Sequence, residues 1–128
     1  LTALDNVRLP YFLRKRPGPD TSSAKAMDLL EKAGIVHLAS AYPATMPGGE
    51  SRRVALVRAL MLEPVLLIAV EPTSALDIDT TRHMAEYMRT LNQQGLSLLV
   101  VTHDAEITAA GTHLLTMASG KLTQAENL

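Results

Sequence analysis

MPGGESRRVALVRALMLEPVLLIAVEPTSALD, residues 46–77, sets a glycine pair, a basic helix pattern, an apolar run and a single carboxylate in one order. Val54, Val57, Leu60 and Met61 recur at helical spacing, which predicts a helix from Gly48 or Gly49 to about Leu62, stopped by Pro64. VLLIAV, residues 65–70, is continuously apolar, the pattern of a strand buried on both faces of a parallel sheet. A helix leading straight into such a strand points to an α/β fold.

The same alternation continues toward the C-terminus. Met84, Met88 and Leu91 give a helix from about Asp79 to Gln94 with Gly95 as its stop, and LSLLVV, residues 96–101, repeats the buried-strand pattern. A short helix over 104–110, a third strand over 113–118 and a Ser119-Gly120 hairpin turn into 121–124 complete this half. The first half reads as helical. Thr2 and Asp5 form a capping box for a helix to about Leu13, limited or kinked by Pro10. RKRPGPD, residues 14–20, is a solvated loop, and Ser22 or Ser23 caps a second helix carrying Ala26, Leu29, Leu30 and Ala33 up to Gly34. We therefore expect residues 1–47 to be a helical subdomain and residues 48–128 a helix followed by part of a mainly parallel sheet.

Composition narrows the classes. A net charge of -1 gives no electrostatic footprint for nucleic acid or an anionic membrane. The absence of cysteine excludes disulfides and thiolate metal sites and is compatible with a reducing compartment. No apolar run reaches the roughly 18 residues of a membrane span, because Glu63 and Pro64 interrupt residues 60–70. The chain starts at Leu1 without a signal-peptide pattern and reads as an excerpt from a longer one.

Gly48 and Gly49 leave the N–H groups and the positive dipole end of their helix unobstructed, an anion site suited to phosphate. Glycine pairs also open helices for local reasons, so the neighbouring residues decide. Glu71 follows the apolar run and lies at the C-terminal edge of the sheet, where open α/β folds hold their sites. A carboxylate there can orient or deprotonate water. LSLLVV ends in Thr102-His103-Asp104, which brings His103 to the same edge, so Glu71 and His103 can share one site.

MPGGE, LLIAVEP, SALD and VVTHD, in this order and at this spacing, resemble the signature loop, Walker B strand, D-loop and switch histidine of ABC-type ATPases. The resemblance runs from LTALDNV at the start to SGKL near the end. It implies a partial P-loop NTPase fold and an ATP-binding subunit that couples ATP hydrolysis to transport. Pro47, Gly48, Gly49 and Glu50 would contact the γ-phosphate of an ATP held by a second ATPase subunit, as homo- or heterodimer. Ser74, Ala75, Leu76 and Asp77 would cross that interface, Glu71 would activate water, and His103 would sense the γ-phosphate. The resemblance further implies ATP and Mg as cofactors of the family, a transmembrane permease subunit as partner, and a cytoplasmic place at the inner face of the membrane. The stretch around SALD resembles ATPases of lipoprotein-release and peptide-export systems.

Three departures set expectations. G-x-x-x-x-G-K followed by Ser or Thr does not occur in the 128 residues, so no phosphate-binding loop is present and no ATP hydrolysis is expected of this chain alone. Val70 stands where the family's strand ends in a magnesium-ordering aspartate, a partner worth about 10 to 100-fold. Pro47 replaces a serine hydroxyl, whose bond to a charged group is worth about 1.5 to 3 kcal/mol. Without the strand that bears the phosphate loop, the apolar faces of VLLIAV and LSLLVV are expected to lie uncovered.

Other readings are weaker. A non-catalytic interaction module that donates Gly48 to Glu50 in trans is the main alternative. Gly49-Glu50-Ser51 begins a nucleophile elbow, but Arg53 stands in place of its last glycine and no strand precedes the serine. Arg52, Arg53 and Arg58 read as solvated or capping cations, not a nucleic-acid surface. No pair among His37, His83, His103 and His113 has the helical spacing of a metal-ligand couple.

Overall fold

The computed structural model describes residues 1–15 and 17–125. Its elements are helices α1 (Ala3–Arg14), α2 (Ser22–Lys32) and α3 (Gly48–Leu60), strand β1 (Leu66–Val70), helix α4 (Ile78–Gln93), strand β2 (Ser97–Val101), helix α5 (Ala105–Ala110) and strands β3 (Leu115–Ala118) and β4 (Lys121–Gln124). Short 3-10 turns at Val36–Leu38 and Pro43–Thr45 carry the chain from α2 to α3. This is an α/β fold with a helical subdomain and a small parallel sheet. No helix among the described residues is long and apolar enough to cross a membrane.

The capping box holds α1 as the sequence requires: Asp5 N–H donates to Thr2 Oγ1 at 3.1 Å, and Thr2 N–H donates to the Asp5 carboxylate at 3.4 Å. The helix runs through Pro10 to Arg14, and Lys15 closes it in the left-handed region. Arg16, in the expected loop over 14–20, lies outside the described residues. For α2 the cap differs from expectation. Thr21 is the N-cap, with no side-chain bond, and Ser22 is buried inside the first turn. Asp20 explains the shift: its carboxylate accepts from Ser22 N–H at 2.8 Å and from Ser22 Oγ at 2.5 Å.

Arg8 completes this latch from α1. It donates through Nε to Ser22 Oγ and through Nη2 to Asp20, both at 3.0 Å, while stacking 4.9 Å above the Phe12 ring. The hydrogen bonds from Ser22, then the charge of Arg8, hold the Asp20 carboxyl below its ordinary 3.8. A depressed folded value lends stability that is complete above 3.8 and is lost as pH falls below it. The melting-temperature gap between this chain and Asp20→Asn is therefore expected to be open at pH 6 and to close below pH 3.8. An equal gap at both ends would assign the effect to something other than the carboxylate charge.

Helix α3 packs against α1 and α2 and also reaches β1, so it joins the helical layer to the sheet. Leu30, Ile35, Val57 and Met61 are fully buried at this junction, with Val54, Leu56 and Leu60 beside them. Strands β1 and β2 pair in parallel, Leu66 opposite Ser97 through Val70 opposite Val101. Helix α4 crosses between them, capped by the Asp77 carboxylate, which accepts from Thr80 N–H at 2.6 Å. It starts one residue before the expected Asp79 because Asp77 takes the cap.

Two strand expectations need correction. Burial of β1 and β2 on both faces does not hold. Leu67 is buried, and Leu98 and Val100 pack on the core, but Leu66, Ile68, Val70, Leu99 and Val101 of the alternate face are exposed. Helices α3 and α4 supply the contacts to these strands, and no described element covers the alternate face. The expected third strand at 113–118 shortens to β3, which pairs antiparallel with β4 and stands apart from the parallel sheet. Ser119 and Gly120, with φ of 51 and 76, make the hairpin turn foreseen for them.

Candidate functional site

Pro47 is the N-cap of α3 and gives it no side-chain cap, so Gly48 and Gly49 open the helix with its dipole end uncovered. Around Gly48 there is open space where a Cβ would stand. Gly49 differs: a Cβ there would lie 1.5 Å from Leu76 Cδ2. The segment after β1 thus folds back onto Gly49, and only a residue without a side chain accepts it there unmoved.

At the end of β1 the chain turns sharply. Glu71 has φ of 48, the left-handed region, which costs a non-glycine residue about 1–2 kcal/mol. Its N–H donates to Val101 O at 2.7 Å and so extends the pairing with β2 by one bond. The register then brings the residues after Val70 and Val101 side by side. Glu71 Oε1 lies 3.8 Å from His103 Nε2, the pairing expected from the two strand ends. His103 is fully exposed and Glu71 about one-third exposed. The imidazole is free to meet a ligand, while the carboxylate is partly shielded by the turn.

Below this pair lies a polar anchor that sequence reasoning missed. Thr73 is buried and donates through Oγ1 to Asp104 Oδ2 at 3.2 Å. Asp104 also accepts Glu106 N–H at 2.9 Å, capping α5, and its own N–H donates to Thr102 Oγ1 at 2.9 Å. Thr102 and Asp104, spaced two apart before a helix, carried the capping signal; the bond across to Thr73 needed the fold.

The arginines of α3 are the solvated, capping cations expected: Arg52 and Arg58 are exposed and Arg53 half-buried, and each guanidinium donates to an oxygen of another segment. Arg52 Nη1 donates to the backbone carbonyl of Ser74, Arg53 Nη1 to Ala33 O at 3.2 Å, and Arg58 Nη1 to Asn6 Oδ1 at 3.2 Å. The Thr80 hydrogen bonds, then the charge of Arg53, hold the Asp77 carboxyl below its ordinary range. Arg52 further lines a groove of about 240 Å³ with Ala55, Leu56, Val70, Glu71 and Pro72.

Magnesium does not fit the described residues here. Val70 is apolar and 70% exposed at the strand end, Asp104 is occupied by Thr73 and the α5 cap, and no described group of three His, Cys, Asp or Glu residues could hold a metal.

A model of the family described as "ABC transporter" matches residues 1–74. The chain belongs to the ABC transporter ATP-binding family. It is similar to the lipoprotein-releasing system ATP-binding protein LolD of Shewanella oneidensis, 42% identical over 127 residues, covering 98% of this chain and 55% of that protein. It is equally similar, at 42% over 107 residues, to the methionine import ATP-binding protein MetN of Streptomyces coelicolor, covering 83% of this chain and 30% of that protein. Among solved structures, the dimeric MJ0796, a bacterial ABC transporter cassette, superposes with a TM-score of 0.88 at 30% identity over 100% of this chain and 58% of that one. The chain thus spans little more than half, or less, of the length of these proteins. ATP use with magnesium is typical of the family.

Proposed function

We propose that residues 1–128 are the signature-bearing part of the ATP-binding subunit of an ABC transporter and act in trans on ATP held by a second ATPase subunit. The observation that carries this is the uncapped Gly48-Gly49 end of α3 with Leu76 folded onto it. The helix dipole and the amides of Gly48 and Gly49 face phosphate oxygens of that ATP, with Glu50, whose own N–H donates to Pro47 O at 3.1 Å, beside them, and Ser74, Ala75, Leu76 and Asp77 lie along the subunit boundary. On the same chain Glu71 accepts a proton from the attacking water and His103 reads the phosphate. Val70 leaves this second constellation without its metal partner, and the 128 residues contain no phosphate-binding loop. The chain alone therefore does not hydrolyse ATP. In the cell it sits at the cytoplasmic face of a membrane against a permease subunit that turns ATP use into transport. The lipoprotein-release type is favoured by the 98% coverage in the match to LolD.

The alternative is a module that docks on an intact ATPase and contributes nothing to turnover. Mixing separates the two. A full-length ATPase subunit whose own signature glycines are replaced is expected to regain hydrolysis when this chain is added, and Gly48→Asp in this chain, which sets a carboxylate against the phosphate, to cut the gain by about 10²–10³-fold, the size of one lost oxyanion contact. Hydrolysis by this chain alone, or no gain on mixing, would sink the proposal.

A further inference from the structure

We infer that Arg52 is a positioning residue that fastens the loop of residues 73–77 to the glycine end of α3, so that the two segments move as one body. The inference rests on the reading of residues 48–50 and 74–77 given above. Arg52 stands one helical turn beyond Gly48, on the same face. Its Nη1 donates to the Ser74 carbonyl, and no carboxylate lies within ion-pair distance of its guanidinium among the described residues. The backbone carbonyl is thus its anchor, through a bond strengthened by the donor's charge.

Two residues later the contact is made from the other side. Leu76 occupies the space that a Cβ of Gly49 would need, with its Cγ 3.0 Å from that position. Between the two contacts lies Ala75 with φ of 65. An alanine in the left-handed region persists only where its neighbours over-determine it. The bonds within the loop, Ser74 N–H to Glu71 O at 3.3 Å and Leu76 N–H to Thr73 O at 3.1 Å, close its base but do not hold its tip against α3. Arg52 on Ser74 and Gly49 under Leu76 do so.

The consequence is a link inside one chain between the phosphate-facing end of α3 and the boundary loop. A ligand that shifts Gly48 and Gly49 shifts Ala75 with them. Arg52 also lines the groove beside Glu71, so the same side chain borders the third segment of the site.

Backbone ¹⁵N order parameters of the full chain test this. In the parent, Ser74, Ala75 and Leu76 are expected near the rigid value of about 0.85, and in Arg52→Ala below about 0.6. Arg52→Lys, which keeps one charged donor, is expected to restore most of the order. Gly49→Ala, which displaces Leu76 with Arg52 intact, is expected to loosen the same three residues. The amides of Met84 and Met88 in α4 and the melting temperature should stay at parent values throughout. A loop already mobile in the parent, unchanged in Arg52→Ala or not restored by Arg52→Lys would overturn the inference, as would loosening that spreads into α4. No nucleotide enters this measurement, so its failure leaves the mixing experiment standing, and failure of mixing leaves the clamp standing.

Discussion

Glu71→Gln is expected to lower ATP turnover by about 10²–10⁴-fold, the share that a positioned proton acceptor contributes. The measurement needs a cassette that turns over, made by joining a segment with a phosphate-binding loop ahead of this chain and changing Val70 to Asp. Val70→Asp alone is expected to raise turnover of that fusion by about 10–100-fold, because a carboxylate then orders the metal and its waters. Val70 is 70% exposed in this chain, and where the added segment covers it the new carboxylate is paired with the metal it orders. Glutamine at 71 keeps the shape of glutamate and leaves the N–H bond to Val101 O in place, so the sharp turn survives and only the proton acceptor is lost. His103→Ala should cost less than Glu71→Gln, because the imidazole is fully exposed and meets the carboxylate at 3.8 Å rather than in a short bond. A fusion in which Glu71→Gln turns over like its Val70→Asp parent would remove Glu71 from the chemistry.

The proximity of Glu71 and His103 was legible because each follows a continuous apolar run, and parallel neighbours bring such ends to one edge. The register of Val70 opposite Val101 then does the rest. Helix α3 was legible for a similar reason: Val54, Val57, Leu60 and Met61 have one periodicity and one burial. Long side chains were not. Arg52, Arg53 and Arg58 find partners 22, 20 and 52 residues away, and nothing local to an arginine announces a distant carbonyl. Thr73 and Asp104 escaped notice in the same way, 31 residues apart. The uncovered face of β1 and β2 is the one expected from the lack of a phosphate-loop strand in these residues; the apolar runs by themselves report what a strand can bury and not what covers it. Ser22 lost the cap of α2 to the chain geometry that Asp20 imposes, a competition among neighbouring oxygens that propensity alone does not rank.

Leu30→Ala is expected to destabilise this chain by about 2–5 kcal/mol, and Ile68→Ala by about 1 kcal/mol or less. Both remove the same number of carbons from a branched aliphatic side chain, so the contrast isolates burial. Leu30 is fully buried on α2 among residues of α1 and α3, and truncation leaves a cavity lined by side chains that three helices hold in place. Ile68 is 61% exposed on the uncovered face, and little of its surface was withdrawn from water to begin with. Total stability of a domain this size is only about 5–15 kcal/mol, so the Leu30 variant should unfold at markedly lower urea while the Ile68 variant stays near the parent. The loss at Leu30 also reaches the site, since α2 packs on α3, whose first turn carries Gly48 and Gly49. Joining the phosphate-loop segment should then close the contrast: if its strands and helices cover the Ile68 face, Ile68→Ala rises toward the range of about 2–5 kcal/mol of a core truncation while Leu30→Ala is unchanged. Equal costs for Ile68→Ala in the chain and in the fusion would mean that this face is not where the rest of the cassette packs.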